Sequence, residues 1–282
     1  MKNPDEYPIS RAWTDSLRRT VSDIPELRQL LVFDCVDSTN TLLRTLGDSG
    51  AEEGTVVIAR QQTAGRGRQG RSFYSPPDTG IYLSALFKPQ RDILALTPMA
   101  AAAAAEAVEA LSGEQVQIKW VNDLLLRRKK ICGILCESRF TENCGIPDYA
   151  IVGIGINLMP PPDGFPPEIQ DIAGTVFPSY AAPEERFMRC AELLTRRIFA
   201  QYRGLGQKAY LESYRARLSS LYKEILVLEN GETRKAYALA VDDDLRLLVR
   251  YEDGQEEWRS TGEIRIREDI HDSFSAEYRQ HQ

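Results

Sequence analysis

The chain has 282 residues, 43% hydrophobic and 27% charged, a balance that suits a globular protein of one large or two modest domains. Its formal net charge of −6 argues against a general DNA-coating protein, which needs a basic surface for phosphate. Apolar runs fall short of the roughly 18 residues that a membrane helix requires, so no membrane partner is expected.

Residues 1–32 are expected to form an N-terminal extension with a short helix packed on the core. The stretch "FDCVDSTNTLLRTLGDSG" (33–50) predicts a short strand, a cap-rich turn at Asp37, Ser38, Thr39 and Asn40, and a short helix stopped by glycine. "TVVIA" (55–59) and "IYLSALF" (81–87) are β-branched or aromatic runs, so the glycine-arginine stretch between them is a long strand-to-strand loop. "LTPMAAAAAAEAVEALSG" (96–113) predicts a helix with Thr97 as N-cap, Pro98 in its first turn and Gly113 at its end, its alanines allowing close packing on a sheet. "VQIKW" (116–120), "ICGILCES" (131–138) and "YAIVGIGIN" (149–157) read as strands, the first two separated by a polar turn, "VNDLLLRRKK".

Between Leu158 and Pro183 seven prolines in 26 residues predict an irregular connection. Helical spacing from Glu184 to Ser219, interrupted by "GLG" at 204–206, predicts two helices that close a main domain of residues 33–220. From 221 to 270, five short strands with the turn dipeptides Asn230-Gly231 and Asp253-Gly254 predict a small β-barrel-like domain, followed by a tail, 271–282. The class is α+β, with a mixed, largely antiparallel sheet.

The N-terminus has no apolar stretch of secretory type, and a cytoplasmic setting is the expectation. Five cysteines without a C-x-x-C suggest neither a disulfide framework nor a zinc site. The two histidines, His271 and His281, stand in the last dozen residues, which sets aside Ser-His-Asp, Cys-His and H-E-x-x-H chemistry. Catalysis is left to Arg, Lys, Asp or a metal.

"TAGRGRQGRSF" (63–73) holds Gly65, Gly67 and Gly70 at G-x-G-x-x-G spacing. A dinucleotide fingerprint needs the third glycine to open a helix, but "RSFYSPPDTG" follows with two prolines. A kinase glycine loop needs H-R-D and D-F-G strings, and neither is present. Two readings stay open on spacing alone: a flexible basic surface loop, and an anion site. Between Gly54 and Pro77 there are four arginines and no acid, and glycine N–H groups with arginine forks suit a phosphorylated or activated acid. In "KWVNDLLLRRKKICGIL" (119–135), an ordinary charged hairpin competes with a site in which Lys119 neutralises phosphate, Asp123 holds Mg²⁺ and Lys130 reaches a carboxylate or its adenylate.

Together, "DSTN", "QQTAGRGRQGRSF", "KWVNDL", "KKICGIL" and "GIGINL" stand in the order and approximate spacing found in bacterial biotin protein ligases, which the chain resembles from about residue 33 to 267. The resemblance implies a class II synthetase-like catalytic domain and a C-terminal SH3-like barrel. It implies ATP and biotin as substrates, Mg²⁺, biotinyl-5′-AMP as intermediate, and a biotin carboxyl carrier protein as acceptor. Lys130, Arg66 and Arg68 match catalytic positions. Ser38, Thr39, Asn40, Gln62, Gly65 and Gly67, with Arg66, Arg68 and Lys130, match biotin contacts. Arg71, Phe73, Lys119, Asn122, Asn157 and Arg267 match adenylate contacts, and Asp123 a Mg²⁺ ligand. Phe73 replaces a frequent tryptophan and Val121 a frequent proline. About 30 residues precede Phe33, too few for a winged helix-turn-helix, so a monofunctional ligase without a DNA partner is expected. A homodimer is compatible with the resemblance. A lipoate or octanoate ligase and a nucleic-acid module are the competing readings.

Overall fold

The computed structural model describes residues 6–141, 146–229, 232–260 and 263–266. Cys144, the Asn230-Gly231 dipeptide, Arg267 and both histidines lie outside the described residues. The chain divides into two compact units, Met1–Arg217 and Leu218–Gln282.

The first unit is built on a seven-stranded sheet. Its strands are β1 (Gln29–Phe33), β2 (Thr55–Ala59), β3 (Gly80–Phe87), β4 (Gln117–Lys119), β5 (Asp123–Leu126), β6 (Lys129–Arg139) and β7 (Tyr149–Asn157), in spatial order β1-β2-β3-β7-β6-β5-β4. β1 and β2 run parallel and every other neighbouring pair runs antiparallel. The sheet therefore begins inside the expected extension, at Gln29. Helix α1 (Arg11–Thr20) is tied to it where the Val32 N–H donates to Thr14 Oγ1 at 3.0 Å.

The two-residue alternation of strands decides what each face carries. Leu83, Ala85 and Phe87 of β3 and Val152, Ile154 and Ile156 of β7 are buried on one face. Helices α3 (Leu96–Ser112) and α4 (Pro183–Arg203) cover that face, with Phe199 edge-on to Phe87 at 5.7 Å and Tyr202 stacked on it at 4.0 Å. Helix α5 (Tyr210–Ala216) packs beside α3. The opposite face carries Tyr82, Ser84 and Leu86 of β3. There α2 (Thr39–Asp48) packs across β2, β3 and the start of β7, where Leu42 and Leu43 join Phe33, Val57, Leu86 and Ile151 in an apolar cluster. The rest of that face is left for the site.

Within the first unit, the expectations for α3 and for "VNDLLLRRKK" also change. Helix α3 ends at a left-handed Gly113 (φ 74°), as its sequence implies, but Thr97 is not its cap. A 3₁₀ turn, Ile93–Ala95, runs straight into α3, so Thr97 falls inside the helix and hydrogen-bonds with Cys136 of β6. The segment Ile93–Ser112 is also long and apolar enough to cross a membrane by length and composition, unlike the expected shortfall. Here it is a core helix, because Met99 and Ala100 to Ala105 are buried against the sheet and α4. Finally, "VNDLLLRRKK" is not simply a turn. Leu124 and Leu126 alternate inward in β5, and the turn is reduced to Arg127 and Arg128, both at positive φ.

Helix α5 is clamped to α3 through Arg217, whose Nε and Nη2 donate to the two carboxylate oxygens of Glu109 at 3.1 and 2.6 Å. Burial raises the Glu109 pKa, but the bonds from Arg217 and the Val116 N–H outweigh it and hold the carboxyl below its ordinary value. A depressed folded-state pKa gives stability that is complete above the unfolded value and is lost as pH falls through the folded one. Glu109→Gln is therefore expected to lower the melting temperature at pH 7 and to converge with the parent below about pH 4. A constant gap down to pH 3 would exclude the carboxylate as its origin.

The second unit holds β8 (Glu224–Glu229), β9 (Glu232–Val241), β10 (Leu247–Tyr251), β11 (Glu256–Arg259) and β12 (Glu263–Ile266) in the antiparallel order β11-β10-β9-β8-β12. The expected turn at Asp253-Gly254 is present, with Gly254 at φ 84°. Among the described residues β11 and β12 share no ladder, so the sheet is open rather than a closed barrel.

Candidate active site

The floor of the site comes from the alternation in "YAIVGIGIN". The face of β7 opposite the apolar core carries Gly153 and Gly155, and β6 sets Gly133 directly across from Gly155. These glycines leave room for side chains arriving from above. A β-carbon at Gly155 would lie 2.7 Å from the Phe73 ring, one at Gly133 3.0 Å from it, and one at Gly153 2.1 Å from Asn40 Oδ1.

One wall is the N-terminus of α2. Ser38 is its N-cap and accepts from the Thr41 N–H at 3.5 Å. The Thr39 N–H and hydroxyl donate to Gln62 Oε1 at 2.9 and 3.2 Å, and Gln62 Nε2 donates to Ser75 at 3.1 Å. The Ser84 hydroxyl stands 2.8 Å from Thr39 Oγ1 and 2.6 Å from Asn40 Oδ1. Asn40 Nδ2 donates to Leu135 O and to Glu137 Oε2 at 3.2 and 2.9 Å. Asn40 is thus buried with both amide hydrogens spent on the protein, which places it beneath the wall rather than on its surface.

The roof is the β2–β3 loop, and no helix follows its third glycine. It folds back on itself: the Phe73 N–H donates to Gly65 O at 2.9 Å, the Gly67 N–H to Arg71 O at 2.7 Å, and Gln69 and Gly70 turn the chain at positive φ. Gly65 is required by proximity, since a β-carbon there would sit 2.4 Å from Phe73 O. The N–H groups of Thr63 and Ala64 bond to Val36 O and Asp37 O, fastening the loop to the α2 turn. Two arginines carry it across the sheet. Arg68 Nη1 donates to Asn122 Oδ1 at 2.9 Å, and the Arg66 fork meets Glu137 at 3.1 and 3.0 Å. Arg71 is exposed.

At the far end Lys130 Nζ lies 2.7 Å from Asp123 Oδ1. The Lys130 side chain and the Phe73 ring meet over Gly133, with Lys130 Cε 3.6 Å from the position of an added β-carbon. Asn122 also bonds to the Ile134 backbone, while Asn157 Nδ2 donates to Gly174 O at 3.1 Å. Lys119 is half-buried at the end of β4, and the Trp120–Val121 peptide that follows it is cis. The structure therefore gathers Ser38, Thr39, Gln62, Arg66, Arg68, Phe73, Asn122, Asp123 and Lys130 around one glycine-floored cleft. Asn157 instead holds the proline-rich connection.

Asp123, the expected Mg²⁺ ligand, has its Oδ1 2.7 Å from Lys130 Nζ, and it is a lone carboxylate rather than part of a cluster of three or more metal-ligating side chains among the described residues. A nucleotide-borne Mg²⁺ needs only one or two protein carboxylates, so such an ion would be held here by Asp123 together with the phosphates.

Residues 32–157 match the Biotin/lipoate A/B protein ligase family. A biotin--[acetyl-CoA-carboxylase] ligase of Mycobacterium tuberculosis is 31% identical over 234 residues, covering 79% of this chain and 83% of that protein. The chain belongs to this ligase family.

Within the biotin/lipoate ligase family, the bifunctional ligase/repressor BirA of Bacillus spizizenii is 40% identical over 149 residues, or 52% of this chain and 45% of that protein. The chain thus spans about half the length of such relatives. The solved biotin protein ligase from Aquifex aeolicus in complex with biotin and ATP shares the fold with a TM-score of 0.68 and 25% identity, over 86% of this chain and all of that one. Set beside the family motifs, the residues missed from sequence are the floor glycines, Ser84 and Glu137. The floor had a signal, the period-two "GIGI"; Glu137 had none.

Proposed function

We propose that this chain is an ATP-dependent biotin protein ligase. It joins biotin to ATP as biotinyl-5′-AMP and then passes the biotinyl group to a lysine of a biotin carboxyl carrier domain. The observation that carries the reading is the glycine-arginine loop roofing a glycine-floored cleft with Lys130 at its end. The cleft supplies donors and positive charge, which suits a reaction between a ready carboxylate and a phosphoric anhydride.

In the first step a biotin carboxylate oxygen bonds to the α-phosphorus of ATP while the bond to the β-phosphate oxygen breaks, releasing pyrophosphate. In the second, the carrier lysine amine attacks the acyl carbon, AMP leaves with the bonding pair, and the amine loses its proton. Both steps gain from orientation and from fixed positive charge beside the developing negative charge. Lys130 is assigned to the biotin carboxylate and the acyl-phosphate linkage, and Arg68, Arg71 and Lys119 to the phosphates. Ser38, Thr39 and Gln62, with the loop backbone at Gly65 to Arg68, are assigned to the ureido ring, a compact donor-acceptor edge. Phe73 and Asn122 are assigned to the adenine side. The second unit is assigned to an SH3-like module.

ATP-dependent transfer of biotin and of lipoate to purified carrier domains tests the reading. Biotin transfer alone is expected, and transfer of lipoate alone would overturn it. Phe73→Ala is expected to raise the KM for ATP by about fivefold, the value of one aromatic stacking contact, with a smaller effect on biotin. An unchanged KM for ATP would remove Phe73 from the adenine side.

A further inference from the structure

Glu137 lies on β6 four residues beyond Gly133, on the face that carries the cleft, and it joins three elements. The Arg66 fork reaches it from the loop, with Nη1 to Oε2 at 3.1 Å and Nη2 to Oε1 at 3.0 Å. From α2, Arg44 Nη2 donates to Oε1 and Asn40 Nδ2 to Oε2, the latter at 2.9 Å. The Glu137 side chain is 18% exposed against 41% for each arginine, so the carboxylate is the sheltered centre of the cluster.

A single exposed ion pair contributes little, but a sheltered carboxylate that takes a bidentate guanidinium and two further donors is a directional anchor. Without it, two guanidinium groups face each other and the Asn40 amide loses an acceptor. A glycine-rich loop has more conformational freedom to lose than most, so an anchor on its first arginine has a large lever on its position.

We infer that Glu137 is a positioning residue: it docks Arg66, and through Arg66 holds the glycine-arginine loop as the roof of the cleft, while Arg44 and Asn40 aim its carboxylate. The consequence for catalysis rests on the biotin-activation reading; the docking itself does not. The loop that Glu137 holds supplies binding contacts present before and during reaction, so its loss raises KM more than it lowers kcat.

Hydrogen exchange of the full chain without ligands tests the docking. Glu137→Gln is expected to speed exchange of the amides in 63–73 by about tenfold, the scale of one charge-assisted hydrogen bond, and Glu137→Asp to restore much of the protection. Arg66→Ala should match Glu137→Gln, and the double variant should add nothing further. Unchanged loop exchange in Glu137→Gln, or additive effects in the double variant, overturns the inference. If Glu137→Gln loosens the whole sheet, Arg66→Ala decides: faster exchange confined to 63–73 supports the dock, and unchanged exchange overturns it. In biotin-dependent ATP–pyrophosphate exchange, Glu137→Gln is expected to raise the KM for biotin about tenfold with kcat within about twofold. A parent protein inactive in that assay would sink the activity reading and leave the exchange result standing.

Discussion

Lys130→Ala is expected to slow biotin-dependent ATP–pyrophosphate exchange by about 10²–10³, the loss that follows removal of one preorganised group from a site of developing charge. Lys130 Nζ is oriented by Asp123 at 2.7 Å, and its stem packs beside Phe73 over Gly133, so the ammonium is held rather than merely present. The pair is partly exposed, with side chains 34% and 18% accessible, and its loss should cost the fold no more than about 1 kcal/mol. The melting temperature should then fall by no more than about 2–4 °C, which separates a lost catalytic group from a damaged fold. Asp123→Asn keeps the ammonium but frees it, and an intermediate loss of rate is expected. Near-parental exchange in Lys130→Ala would remove Lys130 from the reaction.

The largest effect on stability is expected at Gly153. Its added β-carbon would lie 2.1 Å from Asn40 Oδ1 and 2.8 Å from Asn40 Cγ. Asn40 has no cheap way to retreat, because turning aside gives up its bonds with Ser84, Leu135 O and Glu137. Gly153→Ala should therefore cost about 1–3 kcal/mol from overpacking. That corresponds to a melting temperature lower by about 5–10 °C for the larger shifts in a unit of this size. Gly206→Ala is the matched control, since a β-carbon there meets only Arg91 Nη2, at 3.9 Å. Melting of Gly153→Ala together with the parent would show that Asn40 is not held where this packing requires.

How much of this was legible in the sequence depended on how local each signal was. The strands at 55–59 and 149–157, the irregular connection before Pro183 and the Ser38 cap are written in side-chain period, proline placement and hydroxyl position, and the structure carries them where those signals stand. The helix start at Leu96 was missed because a preceding 3₁₀ turn took the place of a side-chain cap. β5 was missed because two inward leucines are too short a period beside a run of charge. The second unit's strands were legible but not their closure into a barrel, because turn dipeptides state that strands reverse, but not which edges meet.

For the cleft, residue types that suit anions are visible as a one-signed stretch between Gly54 and Pro77, and the prolines that follow Gly70 remove the dinucleotide reading from sequence alone. The chain's own order of residues was enough to specify local conformation and the kind of chemistry available. Partnership was not, because it joins groups far apart in the chain. Arg66 and Glu137 are 71 positions apart, and Asn40 and Glu137 97 apart. Their meeting follows from the pairing of β3, β7 and β6, which sets a carboxylate, a helix end and a glycine floor on one face. Asp123 shows the same limit: alone it is a metal-ligand candidate, and only the fold puts Lys130 Nζ at its oxygen. A side chain's chemistry is intrinsic to it, but what it neutralises, accepts from or displaces is a property of distance, and distance across a sheet is set by strand order.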